Sequence, residues 1–223
     1  VALSVGRFTT ATATAMAPEP VQVTVGVHQG VPEVAEPYLN KVVQVLEDFG
    51  RRYGPYPWPA FTLAITPGVG GGIEYPGHVM QGPGTLGSIT SHEVAHQWFY
   101  GLVGNDQGSD PWLDEGLASW AEARYEGSLA RFVNTNLPTS AAGRLGEPMT
   151  FWSQQPAAYG WGVYVQGVQA LAALGDPELV DCALRTYVAV FAHRIARPPD
   201  LIAALRSSFP DAANVLSRFG ARG

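Results

Sequence analysis

The sequence predicts an α+β fold, a small sheet followed by a mostly helical lower half, and three patterns carry that prediction. Thr10, Thr12 and Thr14 alternate with alanines, and Val21, Val23, Val25 and Val27 alternate with other residues, the period of two of a strand. Tyr38, Val42, Val43, Leu46 and Phe49 recur at steps of three and four, the period of a helix. From Trp161 onward the pattern is helical. The chain has 223 residues, 46% of them apolar, enough for one good-sized core.

Taken in order, residues 1–27 read as strands joined at Ala17-Pro18-Glu19-Pro20, a turn or linker by its prolines. Their side chains are small, so they need another element to lean on. Glu33 to Tyr53 reads as a helix stopped by Gly54-Pro55. Pro55-Tyr56-Pro57-Trp58-Pro59 is a stiff loop and Phe61 to Ile65 a short strand. A glycine-rich turn, Gly68 to Gly72, leads into Ile73-Glu74-Tyr75-Pro76-Gly77. Thr85 is placed to cap a helix over roughly 86–103, with Gly104 near its end. Asp110-Pro111 opens the next helix, Asp as cap and Pro in the first turn. Residues 137–160 read as loop, and helices are expected over about 161–174, 178–194, 199–208 and 211–219. The single cysteine, Cys182, excludes an internal disulfide and sits in an apolar helical pattern that predicts a buried thiol. Trp98, Phe99, Trp112 and Trp120 are expected to form core.

The chemistry concentrates in Ser91-His92-Glu93-Val94-Ala95-His96-Gln97-Trp98. On a helix, residues four apart share a face, so both imidazoles can hold one metal ion. Glu93 lies about 100° around the helix from His92, where its carboxylate can reach a water on that ion. A second acid, Glu115 in Asp114-Glu115-Gly116, follows His96 after 18 intervening residues. Two nitrogens and one carboxylate, with an open position for water, make the donor set of a catalytic zinc site. Glu93 is then the general base, and Asp114 and Glu122 are candidates to orient the ligands. His28, His78 and His193 have no ligand-like spacing, although His78 lies near Glu74 in sequence.

His92-Glu93-x-x-His96-Gln97-Trp98-Phe99, followed by Trp112-Leu113-Asp114-Glu115-Gly116-Leu117-Ala118, resembles the gluzincin metallopeptidases of the aminopeptidase N and leukotriene hydrolase family. Asp114 stands where the family usually has Asn. The resemblance implies a thermolysin-like zinc metallopeptidase catalytic domain and one Zn2+ held by His92, His96 and Glu115. It also implies that Gly71-Gly72-Ile73-Glu74-Tyr75 corresponds to the family's Gly-x-Met-Glu-Asn, with Glu74 binding the free α-amine of a peptide. Ile73 and Tyr75 depart from the Met and Asn of that pattern. Tyr164, in Tyr164-Val165-Gln166-Gly167, corresponds to the family tyrosine that stabilises the oxyanion, with Val165 and Gln166 replacing Glu and Lys. Tyr159 is the second tyrosine that often precedes it.

The function so implied is removal of N-terminal residues from peptides, with an endopeptidase, another hydrolase on the same centre or a non-catalytic peptide-binding domain as alternatives. The family's neighbouring β domain and helical domain are expected to lie outside this chain, and the isolated piece is expected to be weakly active. Residues 1–27 are then the end of a preceding β domain or the start of the catalytic domain, and 28–223 the catalytic domain. The start at Val1 without Met suggests a trimmed chain. The Gly-Gly-Ile-Glu-Tyr-Pro-Gly variant leans the expected location towards the bacterial cell envelope or secretion, with the cytoplasm left open. A net charge of −6 and the lack of a Lys/Arg cluster argue against nucleic acid as a partner. No apolar run approaches the roughly 18 residues that span a bilayer.

Overall fold

The computed structural model describes residues 2–221, which divide into two compact units at Gly101–Leu102. The first unit is a five-stranded sheet with two helices. Its strands are β1 (Phe8–Met16), β2 (Pro20–His28), β3 (Ala60–Ile65), β4 (Gly72–Ile73) and β5 (His78–Gln81), in the spatial order β1-β2-β3-β5-β4. Helix α1 (Ala35–Tyr53) crosses over between the parallel strands β2 and β3, and α2 (Ser88–Ala95) follows β5.

The threonine–alanine alternation has a packing cause. In β1, Ala11, Ala13 and Ala15 are more covered than Thr10, Thr12 and Thr14. In the paired register Ala13 faces Val23, which in turn faces Phe61, so alanine, valine and aromatic share one face of the sheet. Val21, Val23, Val25, Phe61, Leu63, Ile65 and Val79 on that face are at most 1% exposed. They pack with the apolar stripe of α1, in which Tyr38, Val42, Leu46, Phe49 and Tyr53 are buried. Small residues suit the edge because α1 comes close there: a Cβ on Gly50 would lie 2.8 Å from the Ala17 Cα.

Two of this unit's strands were not legible in the sequence. β4 has only two residues, and β5 pairs parallel with β3 through Leu63 opposite Val79. Helix α2 is shorter than its pattern predicted: it ends at Ala95, and Tyr100 takes a positive φ of 115° that breaks any continuation. Thr85 is not its cap. Gly87 holds that position, while the Thr85 hydroxyl donates to Gly82 O at 2.6 Å and accepts from the Gln81 amide at 3.0 Å. The helix is buried nearly all round, locked by Trp98, whose ring meets Phe49 edge-on at 5.8 Å and whose Nε1 donates to Gly54 O at 2.8 Å.

The second unit is mainly helical. Strand β6 (Val103–Asn105) precedes a 3-10 turn (Pro111–Leu113), α3 (Glu115–Tyr125) and α4 (Leu129–Val133). Two short helices, α5 (Met149–Trp152) and α6 (Pro156–Tyr159), occupy part of the expected loop. A π-helical turn (Gly160–Val165) then runs into α7 (Gln166–Ala172), followed by α8 (Pro177–Phe191), β7 (Arg194–Ala196), α9 (Pro198–Arg206) and α10 (Ala212–Ser217). Gly104, expected at a helix end, lies in β6, which pairs parallel with β7. Asp110 caps the 3-10 turn by position only, without a side-chain bond. The buried Asp181 carboxylate of α8 accepts from Trp120 Nε1 at 2.8 Å and Arg124 Nε at 2.9 Å, tying α8 to α3. Cys182 is exposed, against expectation: its neighbours Asp181 and Ala183 face inward, and residue 182 falls on the outer side of α8. Trp98, Phe99, Trp112 and Trp120 are core, each at most 1% exposed.

Candidate metal centre and substrate site

In the first unit α2 does what the spacing predicts. His92 and His96, 7% and 1% exposed, point their Nε2 atoms at each other across 3.1 Å. The rings stand nearly perpendicular, 80° apart, with centroids at 4.8 Å. The tautomer of His96 follows from its other nitrogen. Nδ1 lies 3.2 Å from the Phe99 carbonyl, which can only accept, so Nδ1 carries the hydrogen and Nε2 keeps its lone pair. A backbone carbonyl behind a ring N–H is the arrangement that orients a metal-binding histidine. Two ring nitrogens this close repel unless a proton or a cation lies between them, so the pair fits a shared ion.

Glu93, 6% exposed, lies on the same helix. Its carboxylate packs on the backbone of β4: a Cβ on Gly72 would overlap Glu93 Cγ and Cδ. Glycine at 72 thus lets the edge strand come down onto the acid. Gly71 O accepts from Gly82 N–H at 2.9 Å, and Ile73 pairs with Met80. Glu74 follows immediately. It is half-buried, and among the described residues its carboxylate accepts no hydrogen bond and meets no cation. The backbone behind it is held by Gln97, a fully buried amide the motif reading passed over. Gln97 Oε1 accepts from Gly77 N–H at 2.7 Å, and Nε2 faces Tyr75 O at 3.3 Å and Glu74 O at 3.5 Å. The only sequence signal for it is a polar residue set against Trp98-Phe99. His78, by contrast, bonds Ser4 Oγ at 2.9 Å, and burial lowers its pKa from the usual imidazole value.

In the second unit Glu115 is the first residue of α3. Asp114 before it is 2% exposed and accepts a hydrogen bond from Gln107 Nε2, so the approach to Glu115 is anchored. Glu122 lies two turns further along the same helix. Tyr159 ends α6 and Tyr164 lies in the π-helical turn, with rings edge-on at 5.5 Å and 84°. π-Helical turns widen the helix and recur at functional positions. Here the extra width leaves the Gly162 carbonyl to the buried Gln166 side chain, whose Nε2 donates to it at 3.0 Å while Oε1 accepts from Gly143 N–H at 2.7 Å. The glycines of the two motifs explain each other. A Cβ on Gly167 would lie 2.7 Å from the Gly116 Cα, so α3 and α7 cross backbone to backbone one residue past Glu115 and three past Tyr164. Gln107 lies outside every motif, while Gln97, Gln166 and the two glycines lie within the motif stretches, which do not show what these residues contact.

The peptidase family M1 domain matches residues 84–219, more than half of the chain. The leukotriene A-4 hydrolase of Xenopus laevis is 27% identical over 213 residues, which cover 82% of this chain and 34% of that protein. Aminopeptidase B of Rattus norvegicus is 31% identical over 121 residues, 50% of this chain and 18% of that protein. The fold matches a two-domain M1 zinc metallopeptidase bound to L-tryptophan, with a TM-score of 0.75 and 21% identity over 97% of this chain and 52% of that one. An M1 zinc metallopeptidase of Deinococcus radiodurans bound to a Tyr-Ser-Ala substrate gives a TM-score of 0.75 at 20% identity, covering 97% of this chain and 53% of that one. The chain spans about a third or less of these curated relatives and about half of these structures. The α+β fold expected from the sequence is therefore that of the M1 zinc metallopeptidases, and this chain belongs to peptidase family M1.

Proposed function

We propose that this chain is the catalytic part of a zinc-dependent aminopeptidase. The observation that carries the reading is the pair of buried imidazoles whose Nε2 atoms face each other at 3.1 Å, one of them with its tautomer set for a metal. With Glu115 they offer two ring nitrogens and a carboxylate oxygen, the zinc donor set. His92, His96 and Glu115 would hold one Zn2+, as the motif spacing supports. When bound, zinc supplies Lewis acidity, which polarises the scissile carbonyl and makes the attacking water more acidic.

The protein residues supply the rest. Glu93 takes a proton from the water as its oxygen bonds to the carbonyl carbon. It delivers that proton to the peptide nitrogen as the C–N bond breaks, so the amine leaves neutral. Tyr164 donates its O–H to the developing oxyanion, with the Tyr159 ring edge-on beside it, a contribution of ~3 kcal/mol by the measure of oxyanion donors. Glu74 pairs with the substrate ammonium through a charge-assisted hydrogen bond. Gly71, Gly72 and Ile73 lie at the sheet edge, where an extended peptide can add as a further strand. A half-buried carboxylate at the end of that edge, without a partner among the described residues, supports an enzyme that counts from the N-terminus.

The test is hydrolysis of a peptide with a free N-terminus against its N-acetylated twin, with and without zinc. Zinc-dependent cleavage of the free peptide alone is expected. Equal cleavage of both would make the protein an endopeptidase on the same centre. Zinc binding without any cleavage would leave a peptide-binding domain.

A further inference from the structure

We infer that Gln97 is a positioning residue for substrate recognition: its side-chain amide sets the loop that aims Glu74, and so fixes where the enzyme holds the N-terminal amine. The inference rests on the proposed role of Glu74.

The geometry points there because of what else holds that loop. Glu74 lies between β4, which has only two residues, and a turn in which Gly77 takes a positive φ of 71°. On its β4 side, Ile73 pairs with Met80. On its other side the backbone bonds are His78 N–H to Tyr75 O and Thr62 N–H to Gly77 O, both at 3.0 Å, and neither reaches the Glu74 carbonyl; the contacts to Gln97 do. An edge strand this short orders little by itself. Gln97 adds one acceptor for Gly77 N–H and one donor that lies between two carbonyls, and the donating N–H of Gly77 fixes which end of the amide is oxygen. The amide is 0% exposed, so neither end can turn to water instead.

The position of Gln97 in the chain matters as much as its bonds. It follows His96 directly. The clamp therefore ties the amine-binding carboxylate to the turn that carries a metal ligand. An exopeptidase that releases one residue needs a fixed distance between the ammonium anchor and the metal, because one residue separates the amine from the scissile carbonyl. A pre-set Glu74 also loses less freedom when the amine binds. Loss of the clamp should leave the chemistry and blur the counting.

The experiment compares wild type, Gln97→Met and Gln97→Glu, each loaded with zinc. Binding of L-leucinamide and N-acetyl-L-leucinamide is measured by calorimetry, and KM and kcat are measured for free and N-acetylated peptides where turnover is detectable. Zinc content and Tm are recorded for each protein. Wild type should prefer the free amine by about tenfold or more. Gln97→Met, similar in volume but unable to bond, should reduce that preference to about twofold. The change should fall on KM, with zinc content unchanged and kcat within about threefold. Gln97→Glu keeps the acceptor for Gly77 but sets a carboxylate against the Glu74 and Tyr75 carbonyls, and should lose at least about threefold of the preference. If Gln97→Met does not fold, this variant decides. In a Glu74→Gln background, Gln97→Met should change the preference no further. A variant that keeps the wild-type preference overturns the inference. So does one that loses zinc and both ligands together, which would make Gln97 a support of the metal helix. A wild type without preference overturns the role of Glu74 instead, and this inference with it.

Discussion

The crossing of α3 and α7 at Gly116 and Gly167 gives the sharpest test of how the second unit presents its residues. Consider Gly167→Ala. The added Cβ would lie 2.7 Å from the Gly116 Cα, a backbone atom that no rotamer change can move away. Carbon atoms pack at about 3.5–4.0 Å, so the helices must separate by roughly 1 Å. Overpacking of this size costs about 1–3 kcal/mol, and the better helix propensity of alanine offsets about 1 kcal/mol of it. The net loss is about 1 kcal/mol, which for a chain of this size lowers Tm by about 2–4 °C. Activity should suffer far more. Glu115 and Tyr164 sit one and three residues from the crossing on opposite helices, and a displacement near 1 Å in a catalytic group costs about a hundredfold. The assay pairs a thermal melt with kcat/KM on a panel of aminoacyl p-nitroanilides. Gly116→Ala is the internal comparison: its Cβ would meet the Gly167 Cα at 3.4 Å and Val163 O at 3.5 Å, ordinary contacts, so its effect should be mild. Full activity of Gly167→Ala, or a Gly116→Ala variant as damaged as Gly167→Ala, would refute the reasoning.

Other outcomes follow from the same structure. Zinc added to metal-free protein should raise Tm, and His92→Ala or His96→Ala should abolish both the rise and stoichiometric zinc in metal analysis. Glu93→Gln should retain zinc yet lose about 10²–10⁴-fold in kcat, because the amide cannot accept the water's proton. Asp181→Ala removes the buried acceptor of Trp120 Nε1 and of Arg124, whose side chain is only 16% exposed and which keeps just the exposed Glu178 as an ion-pair partner among the described residues. It should cost about 3 kcal/mol, seen as a Tm drop of about 6–12 °C. His78 is held below its ordinary pKa of 6.5 by burial. The fold prefers the neutral ring, so this contribution is complete above the unfolded value and is lost as pH falls below it. His78→Gln should therefore show a smaller Tm decrease than wild type between about pH 7.5 and about pH 5.5.

The sequence was most legible where a period or a motif repeats a single physical rule. The α1 stripe from Tyr38 to Phe49, the Thr/Ala strand and the His92–His96 spacing each depend on residues a few positions apart. It was least legible where local pattern and tertiary contact disagree. Apolar residues run past Ala95 and look helical, but Tyr100 turns the chain, and the aromatic residues there serve the core around α1. β4 and β5 have too few residues for a period and exist because β3 offers them a partner. Cys182 lies in an apolar stretch, yet on the outer side of a helix whose burial is set by its neighbours.

By itself the sequence determined the fold class and named the groups for a zinc site, because His92, Glu93 and His96 are placed by the pitch of one helix. It offered Glu115 as the third donor by its place after His96, with 18 residues between them, and pointed to Glu74 and Tyr164 through a family resemblance. Only the tertiary structure decided what holds these groups in place. Gln97 clamps the loop of Glu74, Gln107 holds Asp114, Gln166 supports the π-helical turn of Tyr164, and Gly116 meets Gly167. Gln97, the glycine pair and the bond of Gln166 to Gly143 act across 20 or more residues, while Gln107 and the bond of Gln166 to Gly162 fold back within their own loop or turn. A buried amide or a bare Cα reveals its role only through the partner that folding brings to it, and no local period records that partner.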